Sequence, residues 1–237
     1  MKPAKPIREK VRQMRNWRYS AVHLLCALIL LLVVTPFVES SRNGEFIETV
    51  LVTLVLVSAG LAVGGQRHVL RIAIFLMVPT IAANWAHHLF PGVVTPVAHL
   101  ACSIVFIGFV IIYVLRFIMR APQVDAEVIS AGISVYLMLG LLWAFGYLIA
   151  AEGSPSAFSI HTDPREPQEM SNFNALYFSY TSLSTLGFGD ILPVSKVARM
   201  LSFMEAITGM LYVATLISRL VSWYSPVRNS NDPDTDS

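Results

Sequence analysis

Thr185-Leu186-Gly187-Phe188-Gly189-Asp190 is the stretch on which the reading of this chain turns. It follows a short aromatic-rich run, residues 173–184, and lies between two long apolar segments. Glycine accepts positive φ because it has no Cβ to clash with the following carbonyl. Two glycines alternating with larger residues therefore let an extended segment turn successive carbonyls to one side. Carbonyls gathered from several chains can replace the water shell of a dehydrated cation. A bare Gly-Phe-Gly-Asp in a soluble protein is an ordinary turn, so the weight rests on what flanks it.

The flanks are those of a membrane protein. Of 237 residues, 55% are hydrophobic and only 14% charged, too few charges for a soluble domain of this size. Six runs are long enough to cross a bilayer: 20–37, 46–63, 69–86, 97–118, 128–151 and 197–223. The first follows a basic leader, but Thr35-Pro36-Phe37-Val38-Glu39 offers no small-residue cleavage site, so it reads as a span and not a signal peptide. Cys26 and Cys102 fall near opposite faces of the membrane on this reading and are expected to pack as small apolar residues.

Orientation follows from the positive-inside rule. The leader carries Lys2, Lys5, Arg8, Lys10, Arg12, Arg15 and Arg18 against Glu9, which places the N-terminus in the cytoplasm. Six crossings bring the C-terminus to the same side. Arg67, Arg71, Arg116, Arg120, Arg219 and Arg228 then also lie inside, and only Arg42, Arg165, Lys196 and Arg199 outside. The 185–190 stretch falls in the outer half of the membrane.

The last third has the plan span, polar loop, short helix, hairpin, span. Residues 152–171 are polar, with Pro155, Pro164 and Pro167, and read as an outer loop. Its Glu152, Asp163, Glu166 and Glu169 outweigh Arg165, which would concentrate cations at the mouth. Residues 173–184 are too short to span and are expected to enter from outside as a re-entrant helix. Irregular backbone at membrane depth survives only when protein or water surrounds it. One such hairpin cannot enclose a pore alone, so a homotetramer is expected.

The stretch resembles the selectivity filter of the potassium channel family, whose usual form is Thr-Val-Gly-Tyr-Gly-Asp, with Leu186 and Phe188 standing for Val and Tyr. The kinship implied is with the two-helix pore-domain superfamily, in a bacterial six-span form without a voltage-sensor arginine ladder. The resemblance covers roughly 128–223. It implies that Thr185, Leu186, Gly187 and Phe188 bind permeant potassium, that Gly189 completes the outer carbonyl ring, and that Asp190 braces the filter from behind. Tyr177 and Phe178 match the aromatic cuff of the pore helix, supported by Thr181 and Ser184. The family often has Glu where Thr181 stands, and Phe188 lacks a tyrosine hydroxyl, so a less rigidly held filter is expected. Gly209, ten residues beyond Arg199, matches a hinge glycine, with close packing an equal alternative. Glu205, one turn earlier, is an acid within a span and so a functional candidate; a hydrogen bond to the helix end near Ser184 is expected of it, with lining the cavity to attract cations as the alternative.

The implied fold is an all-α membrane protein with six transmembrane helices and a re-entrant helix between the fifth and sixth. Its parts are a basic N-terminus (1–19), a four-helix domain (20–118), a linker (119–127), a pore domain (128–223) and a disordered tail (224–237). The fourth span has no Lys or Arg before Arg116, so steep voltage dependence is not expected. His87 and His88, beside Trp85, read as an interfacial belt. The expected function is passive potassium conduction across the plasma (inner) membrane, with no cofactor and no nucleic-acid partner. A poorly selective cation channel and a non-conducting scaffold with a relic pore are the alternatives. No nucleophile–base pair, metal-ligand spacing or phosphate loop points to an enzyme.

Overall fold

The computed structural model describes residues 7–38, 41, 43–63, 67–90, 95–121, 125–154, 156–161 and 169–224. Along the chain these form α1 (Ile7–Val38), α2 (Gly44–Ala62), α3 (Arg67–Leu89), α4 (Pro96–Arg120), α5 (Ala126–Gly153), β1 (Phe158–Ile160), α6 (Asn172–Leu183), β2 (Ile191–Pro193) and α7 (Lys196–Tyr224).

Local chemistry sets the helix starts. Thr95 accepts the Ala98 amide at 3.3 Å, with Pro96 at the first helical position, where its missing N–H costs nothing. Asp125 caps α5 through the Val128 amide at 3.1 Å, and Ser171 caps α6 through that of Asn174 at 3.1 Å. Ser195 does the same for α7, accepting from Ala198 at 3.1 Å. Hydroxyls inside the apolar helices are satisfied locally: Thr35 donates to the Leu31 carbonyl at 2.7 Å and Thr80 to that of Leu76 at 2.8 Å.

Among the described residues six helices are long and apolar enough to cross a membrane: Ala21–Val38 within α1, Gly44–Ala62, His68–Leu89, Pro96–Arg120, Ala126–Gly153 and Lys196–Arg219 within α7. They correspond to the six runs read from the sequence. The 12 residues of α6 rise about 18 Å, too little to span. α5 is the central helix, packed against α1, α4, α6 and α7. Over half of its span, 56%, is buried, against 11% for the spans of α3 and α7. One apolar cluster runs through α1, α2, α4 and α5, from Leu24 and Val55 to Phe106, Val135 and Leu141. α3 and α4 also meet through the rings of His87 and His99, nearly parallel with centroids 4.2 Å apart, while Trp85 sets its edge against Phe46.

Three details differ from the sequence reading. α1 begins at Ile7, so the described part of the basic leader is helical before the apolar run begins. The outer loop is not wholly irregular, nor is the fold wholly helical, because β1 within that loop pairs antiparallel with β2, Phe158 opposite Pro193 and Ile160 opposite Ile191. Short apolar segments bracketing α6 escape a helical reading, and pairing satisfies their backbone. The connection between α4 and α5 is also shorter than 119–127, since α4 runs to Arg120 and α5 starts at Ala126. Pro155, the loop charges Asp163, Arg165 and Glu166, and the tail 225–237 lie outside the described residues.

Candidate functional site

α6 is the platform on which the site is built. Its residues divide by face. Phe178 turns inward, edge-on to Tyr147 of α5 and Phe158 of β1, with centroids 4.8 and 5.6 Å away. With Ile160 and Ile191 these rings form a small core that fastens the strand pair to α5 and α6. Tyr180 lies against α5, donating its hydroxyl to the Leu137 carbonyl at 2.6 Å. A Cβ on Gly140 would overlap the Tyr180 ring, so a glycine is what lets α5 and α6 approach this closely.

The 185–190 segment leaves the C-terminal end of α6. Thr185, Gly187 and Gly189 have φ of +60°, +54° and +82°, and Thr185 is the only described non-glycine residue in the left-handed region. Left-handed backbone costs a non-glycine residue about 1–2 kcal/mol, the more so when β-branched, so the surroundings must hold Thr185 there. An alternation of hand gathers N–H groups on one side and carbonyls on the other. The N–H side faces α6: Leu186 and Gly187 both donate to the Thr181 carbonyl, at 2.8 and 3.2 Å, and Thr185 donates to Ser182 at 3.0 Å. The Thr181 hydroxyl is turned back to the Phe178 carbonyl at 3.0 Å, and the Ser184 hydroxyl to that of Tyr180 at 2.6 Å. Thr181 therefore serves the segment through its backbone.

Asp190 closes the segment with each oxygen engaged. Oδ2 accepts the Tyr177 hydroxyl at 2.6 Å, Oδ1 accepts the Ile191 amide at 3.0 Å, and the backbone carbonyl accepts from His161 at 2.7 Å. The Tyr177 ring also runs parallel to that of Phe188, 6.3 Å away at 8°. Partial burial, and then the bond to Asp190, push the Tyr177 hydroxyl up to about 12. The brace that Thr181 and Phe188 cannot supply is thus provided by Tyr177, against the expectation of a loosely held segment. Tyr177 sits on the same α6 face as Thr181, one turn earlier and nearer Asp190.

Glu205 and Gly209 on α7 pack against α6, not against solvent. Glu205 is fully buried, with Oε1 2.5 Å from the Ser179 hydroxyl and Oε2 accepting from the Tyr147 hydroxyl. The expected partner near Ser184 is corrected: α7 crosses α6 so that Gly209, one turn on, meets the end of α6 at Leu183, and Glu205 meets its middle. A Cβ on Gly209 would overlap the Leu183 carbonyl. α7 itself runs unbroken from Lys196 to Tyr224, with Gly209 packed against Leu183.

Three residues that matter here were not singled out in the sequence: Gly140, Tyr147 and Tyr180. Tyr147 and Tyr180 are polar-tipped aromatics in apolar helices, which call for a hydrogen-bond partner when buried; that was the available signal. Nearer the C-terminal end of α7, the Tyr212 hydroxyl donates to the Gly132 carbonyl at 2.5 Å and Arg219 Nη2 to that of Ala121 at 2.6 Å, tethering α7 to α5 and to the end of α4.

Comparison with known proteins agrees with this geometry. A family described as ion channel matches residues 137–225, the part from α5 to the end of α7. The voltage-gated potassium channel Kch of Escherichia coli is 30% identical over 169 residues, 71% of this chain and 36% of that protein. A human voltage-gated delayed rectifier potassium channel is 34% identical over 71 residues, 30% of this chain and 6% of its own. A two-pore potassium channel of Arabidopsis thaliana is 37% identical over 49 residues, 21% of this chain and 17% of that protein. The chain therefore spans little more than a third of the longest-matching of these relatives. No solved structure matches it. An ion-channel match thus lies over α5, α6, the 185–190 segment and α7, and through this region the chain is similar to the pore domains of potassium channels.

Proposed function

We propose that four copies of the chain assemble around residues 185–190 and conduct potassium passively across a plasma membrane, with both termini cytoplasmic. In this reading α6 is a re-entrant pore helix, and Thr185, Leu186, Gly187 and Phe188 present their carbonyls to the permeant ion. The single observation that carries it is the left-handed φ at Thr185, Gly187 and Gly189, with the Leu186 and Gly187 N–H groups spent on the Thr181 carbonyl. Among the described residues no hydrogen bond is made to the carbonyls of residues 185–189, which suits a cation on a shared axis. Assembly is supported by exposure: Leu186 and Phe188 are 62% and 66% exposed in one chain, as are Phe203, Ile207 and Leu211 in large part.

Potassium and rubidium flux into liposomes containing the purified protein tests the reading. Flux is expected in the wild type and not in Gly187→Ala, since a Cβ strains the left-handed backbone there. A reversal potential that tracks potassium supports selectivity. One that follows sodium equally favours a poorly selective cation channel, a reading to which the missing hydroxyl of Phe188 lends some weight.

A further inference from the structure

Three oxygens lie in a row behind α6: the Gly140 carbonyl, Ser179 Oγ 2.7 Å from it, and Glu205 Oε1 2.5 Å further on. Two such contacts need two hydrogens. A carbonyl carries none and serine carries one. The other carboxyl oxygen, Oε2, already accepts from Tyr147, whose single hydrogen is thereby used. Both contacts are fully satisfied when a hydrogen sits on Glu205 Oε1 and is donated to Ser179 while Ser179 donates to Gly140.

We propose that Glu205 is held as a neutral carboxylic acid and that it acts as a positioning residue for the 185–190 segment. The inference rests on reading that segment as the conducting filter. The surroundings agree with a neutral acid. The groups that act on Glu205 are the hydroxyls of Ser179 and Tyr147, with no cation among them, and an unpaired carboxylate in such a place is costly. Tyr136 of α5 and Tyr180 of α6 also face it, and neither brings a positive charge.

The positioning follows from where Ser179 stands. It is two residues before Thr181, whose carbonyl receives the Leu186 and Gly187 amides. One hydroxyl thus ties α6 to α5 through Gly140 and to α7 through Glu205. Loss of the Glu205 proton would leave two acceptors competing for one hydrogen and would loosen α6 from one of its two neighbours. The Thr181 carbonyl, and the backbone hung on it, would shift with that turn.

The test joins spectroscopy to substitution in the full-length protein reconstituted in liposomes. A difference infrared spectrum between wild type and Glu205→Gln is expected to show the carbonyl stretch of a protonated carboxyl group in the wild type alone. Glutamine reproduces the donor and acceptor of the neutral acid, so E205Q is expected to keep the potassium-over-sodium permeability ratio within about twofold. Ser179→Ala and Glu205→Ala are expected to lower it about tenfold, the scale of leaving one buried polar group unpaired. A carboxylate band in place of the protonated one overturns the proposal, and so does a wild-type ratio in both alanine variants. If E205A does not assemble, S179A carries the comparison. Should the wild type pass no potassium at all, the filter reading fails, and the infrared band still decides the state of Glu205.

Discussion

Tyr177 and Asp190, thirteen residues apart, are joined by a 2.6 Å hydrogen bond that spans the whole 185–190 segment from behind. The tyrosine anchors one end on α6 and the aspartate the other just before β2, so the segment between them is held like a bowstring. Tyr177→Phe removes the hydroxyl and keeps the ring beside Phe188. Leaving Oδ2 unpaired costs about 1–3 kcal/mol at this point. If the chain conducts as proposed, potassium current in Y177F is expected to decay within seconds of opening, with the yield of assembled protein unchanged. Sustained wild-type current in Y177F would show that the bond does not hold the segment.

That brace is also expected to be insensitive to pH through the neutral range. The Tyr177 hydroxyl is raised from its ordinary value to about 12, so the protonated donor persists well above pH 10. A group whose proton is held more tightly in the folded state contributes below its unfolded pKa and loses that contribution only as pH rises through the folded one. Current decay rates compared at pH 6 and pH 9 should match in wild type wherever this bond governs them.

Gly209→Ala distinguishes packing from hinging. A Cβ there meets the Leu183 carbonyl, a backbone atom that cannot swing aside. Overpacking of this kind costs about 1–3 kcal/mol. If packing is the role, G209A lowers the thermal stability of the detergent-solubilised assembly by several degrees. A hinge role predicts unaltered melting with slower opening.

Gly140 and Tyr180 should be energetically coupled. Gly140→Ala sets a methyl group against the Tyr180 ring and is expected to destabilise by about 2 kcal/mol. Tyr180→Ala also loses the bond to the Leu137 carbonyl, but in its presence the methyl at 140 has room. A double-mutant cycle should give an interaction energy of at least about 1 kcal/mol. Strict additivity would place the two residues out of contact.

The conductance–voltage curve is expected to be shallow. In α4 the only Lys or Arg residues are Arg116 and Arg120, in its C-terminal part. Each charge that crosses the field contributes about 2.3 kcal/mol per 100 mV, so steep gating needs several within the span. A curve requiring three or more gating charges would contradict this, whatever the names of the voltage-gated relatives.

The sequence by itself determined the six spans, because twenty apolar residues in a row have few alternatives in water, and it marked 185–190, because alternating glycines carry their backbone preference locally. Both signals live within one turn or one run of chain. Tertiary structure alone decided that Tyr177 and not Thr181 reaches Asp190, that Glu205 meets Ser179 and Tyr147 and not Ser184, and that Gly209 touches Leu183. It also brought β1 to β2 across α6. The physical reason is that each of these contacts depends on the crossing of α6 with α5 and α7, and a crossing is set by which small residues let two helices approach, not by any one helix's pattern. Gly140 and Gly209 are where that approach happens.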